Sequence, residues 1–196
     1  MTRDPRLAPY FGSFTGALQR ARLRAAAPWL AGGRRVLDVG CGLTDLASRL
    51  SPYVGCDRNP EVLAMCRARF PEARFVAWDV AADEPPTELR SEAAFDVILM
   101  LAILEHLSEP GTALARAATL LAPGGVLVTT TPHPLGHLPL ELGARLGLLS
   151  KHADEEHEDL LDRAALESAG RGAGLALATY RRFLFGLNQL AVYVRA

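Results

Sequence analysis

A seven-stranded, mostly parallel α/β sheet with helices on both faces and an antiparallel last strand is the fold this sequence predicts. Three observations carry it. Short apolar runs alternate with helical stretches from residue 12 to residue 131, the βαβ alternation that builds a parallel sheet. One of those runs, FDVILMLA at 95–102, is apolar without a break, as a strand covered on both faces requires. Two strand-like runs then close the chain, and the link between them, FLFGLN, is short enough for a hairpin, which turns the final strand against the others.

Each element follows in order. Residues 12 to 30 predict an amphipathic helix that stops at Gly32 and Gly33, with Phe14, Leu18, Ala21 and Ala25 on one face. RRVLDVG is the first strand, residues 44 to 50 a helix, and YVGCD the second strand. A helix runs from Pro60 to Phe70 with proline at its first position, where the missing N–H costs nothing. ARFVAWDV is the third strand, and the acidic, proline-containing AADEPPTELRSEA is a loop. After the fourth strand come a helix at residues 111 to 121, the turn APGG and the fifth strand, VLVTTT. Residues 132 to 150 are rich in Pro, Gly, His and Leu; DRAALESAGRGAG is a helix with a glycine stop, and LALATYRR and NQLAVYVR are the closing strands. At 196 residues and 49% hydrophobic content, one domain over 1–196 is expected, with an N-terminal helical segment at 1–33 and an insertion at 133–160.

Composition narrows the function classes. A net charge of −1 and a single lysine, Lys151, leave no basic surplus for a phosphate backbone, so no nucleic-acid partner is expected. The three cysteines, Cys41, Cys56 and Cys66, are odd in number, form no C-x-x-C and lie in or beside apolar runs, which fits a reduced, cytoplasmic interior. The N-terminus alternates charges with aromatics, so no secretory leader is expected, and no run nears the roughly 18 apolar residues of a membrane span. The basic face Arg20, Arg22 and Arg24 and the run DEEHED are expected in solvent. Tyr10, Phe11 and Phe14 form either a lid or a packing face, and packing is favoured.

The stretch VLDVGCGLTDLA, residues 36 to 47, is where chemistry enters. In an open parallel sheet, ligands bind outside the carboxyl ends of the strands at the point where strand order reverses, and a glycine turn there lets backbone approach the ligand. A glycine pair alone also serves ordinary tight turns. Asp57, nineteen positions after Asp38 at the end of the second strand, adds a carboxylate placed for two ribose hydroxyls, and that spacing matches a nucleotide-binding half-unit. A dinucleotide fingerprint would place a third glycine or alanine three residues after Gly42; this chain has Asp45. A carboxylate beside a diphosphate is repelled by roughly 1 kcal/mol or more, whereas a ligand carrying an ammonium and a sulfonium tolerates Asp38 and Asp45. The charge pattern points away from a nicotinamide dinucleotide.

Taken together, VLDVGCGLTDLA, VGCDRNPEVL, FVAWDV, FDVILMLAILEHL and LLAPGGVLVTTTP resemble the class I S-adenosylmethionine-dependent methyltransferases, in particular the small ubiquinone/menaquinone-biosynthesis-like group. The resemblance is strong over residues 34 to 132 and weaker from DEEHEDLLDRAALESAG to the end. It implies a Rossmann-like sheet with an antiparallel last strand, S-adenosyl-L-methionine as cofactor and S-adenosyl-L-homocysteine as product. It also implies that Asp38, Gly40 and Gly42 lie along the methionine part of the cofactor. Asp57 would hold the ribose with Arg58 beside it, Asp79 the adenine amino group with Val80 next to it, and Leu101 or Ala102 would meet the methionyl end. Thr44 departs from the glycine many members carry; a loop that meets no diphosphate does not need that glycine, and Thr44 is expected to cap the following helix.

Methyl transfer asks for in-line positioning and desolvation, and for a base only when the acceptor enters protonated. All five histidines, His106, His133, His137, His152 and His157, fall in the segments after strands four and five, where a small-molecule acceptor would sit. His106, His133 and His157 are the catalytic candidates, each also readable as a structural histidine; His137 and His152 are read as loop surface. Some family members, among them quinone-precursor O-methyltransferases, carry a Glu three residues ahead of a Glu-His pair and use a divalent ion. This chain has Ala102 there, ahead of Glu105 and His106, so no metal is assigned. Two rivals remain: a nicotinamide-dependent oxidoreductase, disfavoured by Asp45 and by the lack of a Tyr-x-x-x-Lys pair, and a non-catalytic module that binds the cofactor or a partner. The acceptor is not legible, because acceptor pockets are built from variable segments.

Overall fold

The computed structural model describes residues 13–92, 94–136 and 161–196. His137, His152, His157, Tyr10 and Phe11, the side chain of Phe14 and most of the expected 133–160 insertion lie outside that description. No described helix is long and apolar enough to cross a membrane.

The apolar runs pair as a seven-stranded sheet. The strands are β1 (Val36–Val39), β2 (Tyr53–Asp57), β3 (Arg74–Ala77), β4 (Phe95–Leu101), β5 (Leu121–Pro132), β6 (Leu175–Phe183) and β7 (Asn188–Arg195), in spatial order β3-β2-β1-β4-β5-β7-β6. β1 pairs in parallel with β2 and β4, whereas β7 runs antiparallel to both β5 and β6, as the FLFGLN hairpin requires. The order reverses between β1 and β4, so the crevice at their carboxyl ends is the ligand position this topology favours.

Helices cover both faces because every central strand is apolar on both sides. On one face α1 (Ser13–Ala26) and α2 (Pro60–Arg69) bring Ala25, Ala26, Val62 and Leu63 onto Val36, Val97, Leu99, Val128 and Leu190. On the other, the short α3 (Thr87–Arg90), α4 (Pro110–Ala118) and α5 (Arg163–Gly172) pack Leu89, Leu114, Ala117 and Leu166 against Leu37, Ile98, Met100, Leu127 and Tyr193. Each fully buried leucine contributes roughly 1.5–3 kcal/mol.

The elements differ from the sequence expectation at their ends, for local reasons. The α-helix expected at residues 44–50 is only a 3-10 turn, Leu46–Ser48. Side chains compete for its backbone: Thr44 Oγ1 accepts from the Leu46 N–H at 2.9 Å, and the Ser48 hydroxyl donates to the Asp45 carbonyl at 2.7 Å. Thr44 is not the cap expected of it: Asp45 holds the N-cap position without a side-chain hydrogen bond, and Thr44 Oγ1 closes a local turn on the Leu46 N–H one residue earlier. The first helix gives way after Ala26 to a 3-10 turn, Ala27–Trp29, that holds Pro28. β5 begins at Leu121 and takes the APGG turn into its length, with the register broken between Phe95 and Val97. Inside the expected acidic loop, TELR winds into α3.

Candidate active site

At the switch point the carboxyl ends of β1, β2 and β4 open into a cavity of about 390 Å³, roofed by one face of α1. Asp38, Gly40, Gly42, Asp57, Arg58, Asp79, Val80 and Leu101, the full set of expected cofactor residues, line it together with Ala102 and His106.

β1 delivers Asp38 into this cavity, where it is 3% exposed. The Tyr53 hydroxyl donates to its Oδ2 at 3.0 Å. Burial pushes the Asp38 carboxyl up to about 7, against the pull of the Tyr53 hydrogen bond, and the neighbouring Asp57 charge adds to the rise. Asp57, at the end of β2, is oriented by two backbone donors, Gly42 N–H to Oδ2 at 3.1 Å and Asn59 N–H to Oδ1 at 2.9 Å. A carboxylate has about four acceptor sites, so Asp57 keeps capacity for two more donors while its angle stays fixed. Asn59 also caps α2 through its side chain, which ties the carboxylate to a rigid element.

Gly40 sits at φ +68, and a Cβ there would stand 2.1 Å from Ile103 Cδ1. The close approach that demands glycine is thus made by Ile103, just past β4. Ala102, between Leu101 and Ile103, holds φ +60 with its N–H on the Thr130 carbonyl at 2.8 Å. A non-glycine residue in that region stores about 1–3 kcal/mol, and such strain concentrates at functional sites.

Beyond the end of β3, Trp78 is buried and donates from Nε1 to the Asp83 carbonyl at 3.0 Å. Asp79 opens the turn after β3 by accepting from the Ala81 N–H at 3.0 Å. Arg116 of α4 reaches across to the carbonyls of Val80 (3.0 Å) and Ala81 (2.7 Å), which pins this turn over the cavity.

One residue reverses its expectation. Arg22 is not in solvent with Arg20 and Arg24; Gln19, Arg22 and Leu23 share the helix face turned to the cavity. Its side chain is 16% exposed and its guanidinium stands 3.7 Å from Glu105. Desolvation lowers its pKa, opposed by the Glu105 charge, and its Nε has no hydrogen-bond partner. The i, i+3, i+4 spacing of Gln19, Arg22 and Leu23 carried the signal, but three arginines at alternate positions masked it. Trp78, directly before Asp79, was likewise not singled out.

The histidine candidates separate. His106 is exposed at the cavity mouth. His133 does not line the cavity; its Nδ1 accepts from the Leu135 N–H at 3.1 Å, and burial and Arg182 hold its pKa below the ordinary value against Asp162.

The donor set fits one ligand chemistry. Two carboxylates suit an ammonium and a ribose diol, and a buried guanidinium with a free N–H suits a carboxylate. A diphosphate has no counterpart, because no α-helix begins at the glycine loop to receive it.

Comparison with known proteins agrees. A family model described as a methyltransferase domain matches residues 11–180. A ubiquinone biosynthesis O-methyltransferase of Aeromonas salmonicida is 29% identical over 152 residues, 73% of this chain and 63% of that one. A trans-aconitate 2-methyltransferase of Delftia acidovorans is 38% identical over 118 residues, 57% of this chain and 42% of that one. The chain thus spans less than two thirds of these curated relatives. Among solved structures, a TehB-like S-adenosylmethionine-dependent methyltransferase of Corynebacterium glutamicum superposes with TM-score 0.69 at 18% identity, covering 97% of this chain and 98% of that one. Magnesium protoporphyrin IX methyltransferase of Synechocystis, with bound S-adenosylhomocysteine, gives 0.67 at 16%, covering 95% and 89%. The [4+2]-cyclase SpnF also gives 0.67, at 17%, covering 99% and 84%, so the fold alone does not specify methyl transfer. A family match that contains the entire glycine loop and every strand around the switch point places this chain in the methyltransferase-domain family, on the fold of the class I S-adenosylmethionine-dependent methyltransferases.

Proposed function

We propose that this protein transfers a methyl group from S-adenosylmethionine to a small-molecule acceptor. The observation that carries the reading is the charge layout of the switch-point cavity: Asp38 and Asp57 on one wall, Arg22 on the roof. Asp57 would accept the ribose hydroxyls, Asp38 would face the amino-acid ammonium, and Arg22 would turn from Glu105 to the amino-acid carboxylate. Trp78, Asp79 and Val80 would bracket the adenine, and Leu101 and Ala102 would sit against the methionyl end. When bound, the cofactor supplies an electrophilic methyl on a sulfonium, open to in-line displacement. The chain contributes position and dryness: α1 roofs the cavity, and Ile103 closes on Gly40. Where the acceptor enters protonated, His106 at the cavity mouth is the group placed to take its proton. The relatives named for ubiquinone biosynthesis and for trans-aconitate support a small acceptor.

Thermal unfolding with S-adenosylhomocysteine, NAD and NADP tests the cofactor. Ligand at 100 times its Kd adds about 2.7 kcal/mol, a rise of roughly 2–4 °C at this size. A rise with NAD alone overturns the proposal; a rise with S-adenosylhomocysteine without methyl transfer to any acceptor in a labelled-methyl screen favours a non-catalytic binding module.

A further inference from the structure

Arg116 works outside its own helix. It stands in the last turn of α4, where a basic side chain ordinarily serves the carbonyl ends of the helix that carries it. Instead it reaches the segment after β3, 35 and 36 residues earlier in the chain. Its Nη1 donates to the Val80 carbonyl at 3.0 Å and to the Ala81 carbonyl at 2.7 Å, and its Nε donates to Glu84 Oε1 at 3.2 Å. The Glu84 side chain is 72% exposed, so that ion pair contributes little, and the two charge-assisted bonds to carbonyls carry the contact. Residues 78–86 form neither strand nor helix, and among the described residues no backbone N–H reaches either of those carbonyls. The shape of this turn is therefore set from α4.

We infer that Arg116 is a positioning residue that decides which purine the cavity accepts, by holding Asp79 in the orientation that receives a 6-amino group. The inference rests on the cofactor reading of the cavity and deepens it. Asp79 and Val80 line the cavity, whereas Arg116 does not, so its effect must pass through the turn. The connection is a single peptide plane. The Val80 carbonyl and the Ala81 N–H belong to one trans peptide and point in opposite directions. Arg116 holds the carbonyl end, and at the other end the Ala81 N–H donates to Asp79 Oδ1 at 3.0 Å. A cation on the carbonyl polarises the peptide and strengthens the donor opposite it. The Asp79 backbone is tied as well, its carbonyl accepting from the Ala82 N–H at 3.2 Å and the Asp83 N–H at 2.9 Å. With Oδ1 engaged, Oδ2 is the Asp79 oxygen that has no partner among the described residues. An ionised carboxylate only accepts, so it pairs with the amino donor of a 6-aminopurine. A 6-oxopurine puts an acceptor at that place and leaves both groups unpaired.

Isothermal titration with S-adenosylhomocysteine and with S-inosylhomocysteine, which carries a 6-oxo group and a proton on N1, reads the preference as a ratio of Kd values. The wild-type protein should prefer the amino ligand by about tenfold or more, the effect of one hydrogen bond to a charged group left unmade. Arg116→Met keeps the bulk of the side chain and removes its donors. It should weaken S-adenosylhomocysteine binding by about tenfold and change S-inosylhomocysteine binding little, so that the preference collapses, with circular dichroism checking the fold. Arg116→Lys keeps a charged donor without the planar fork, and its ratio should fall between the other two. Losses equal for both ligands leave the ratio unchanged, mark a structural role alone and overturn the inference. Should Arg116→Met not fold, the lysine variant decides, and a wild-type ratio there overturns the inference too. Asp79→Asn, which can turn an amide N–H toward a 6-oxo group, should move the ratio toward S-inosylhomocysteine and reports on the base contact separately. A ratio that Asp79→Asn leaves in place removes that carboxylate from the base and the inference with it. Wild-type protein that binds neither ligand refutes the cofactor reading itself, so the two failures are distinguished.

Discussion

Removing the Tyr53 hydroxyl should move the pH at which the cofactor binds. Tyr53 donates to Asp38 Oδ2 at 3.0 Å inside the sheet, and it is the interaction that restrains a carboxyl already pushed up to about 7 by burial. A hydrogen bond to a charged group is worth about 1.5–3 kcal/mol, and one pH unit corresponds to about 1.36 kcal/mol, so Tyr53→Phe should carry the Asp38 midpoint up by about one to two units. If Asp38 must be ionised to face the ammonium, its ionised fraction at pH 7 falls from about one half to about one tenth or one hundredth. Affinity for S-adenosylhomocysteine at pH 7 should then drop about five- to fifty-fold and approach wild type near pH 9. Isothermal titration from pH 5.5 to 9 at constant ionic strength reads both curves, with circular dichroism confirming that the variant is folded. Coincident midpoints for the two proteins, or affinities that do not vary with pH, would refute the assignment of Asp38 to the cofactor ammonium.

The same carboxyl links stability to pH. Its folded value of about 7 lies above an unfolded value of about 3.9, so the stability it contributes is complete below pH 4 and is lost as pH rises through 7, by at most roughly 4 kcal/mol. The ligand-free protein should melt at a higher temperature at pH 5 than at pH 8 on this account, and Asp38→Asn should flatten the difference. Asp57→Asn, which keeps an acceptor oxygen for the Gly42 and Asn59 N–H groups, should weaken S-adenosylhomocysteine binding at least tenfold, with circular dichroism confirming the fold; unaltered affinity would sink the ribose assignment. Arg22→Met should raise the Kd for S-adenosylhomocysteine more than for adenosine, which has no carboxylate, and equal losses for both would remove Arg22 from the amino-acid end. Gly40→Ala should abolish binding because its Cβ meets Ile103 Cδ1 at 2.1 Å, and adding Ile103→Ala should restore part of it, the remainder being the cost of φ +68 for alanine.

The wall of the switch-point cavity was legible along the chain because its parts are local in sequence. Asp38, Gly40 and Gly42 follow one strand, Asp57 and Asp79 end the next two, and a parallel sheet brings successive strand ends to one edge whatever the loops do. The closing hairpin was legible for the same reason, since a short link permits only an antiparallel return. What linear pattern could not show was which way an ambiguous side chain turns. Arg20, Arg22 and Arg24 are one residue type at alternate positions on a helix, and only the packing of α1 over the crevice sends Arg22 inward to Glu105 while its neighbours face solvent. The 44–50 segment has the composition of a helix, yet Thr44 and Ser48 take its backbone donors and acceptors and leave a single turn. The meeting of the Cys66 thiol with the Gly42 carbonyl is of the same kind, set by how α2 lies against the glycine loop and invisible in the spacing of the residues. Backbone hydrogen bonding and hydrophobic period are written residue by residue and determine the sheet, its order of strands and the glycine loop at the switch point. Burial is a property of the assembled chain, and burial is what raises Asp38 and strips water from Arg22.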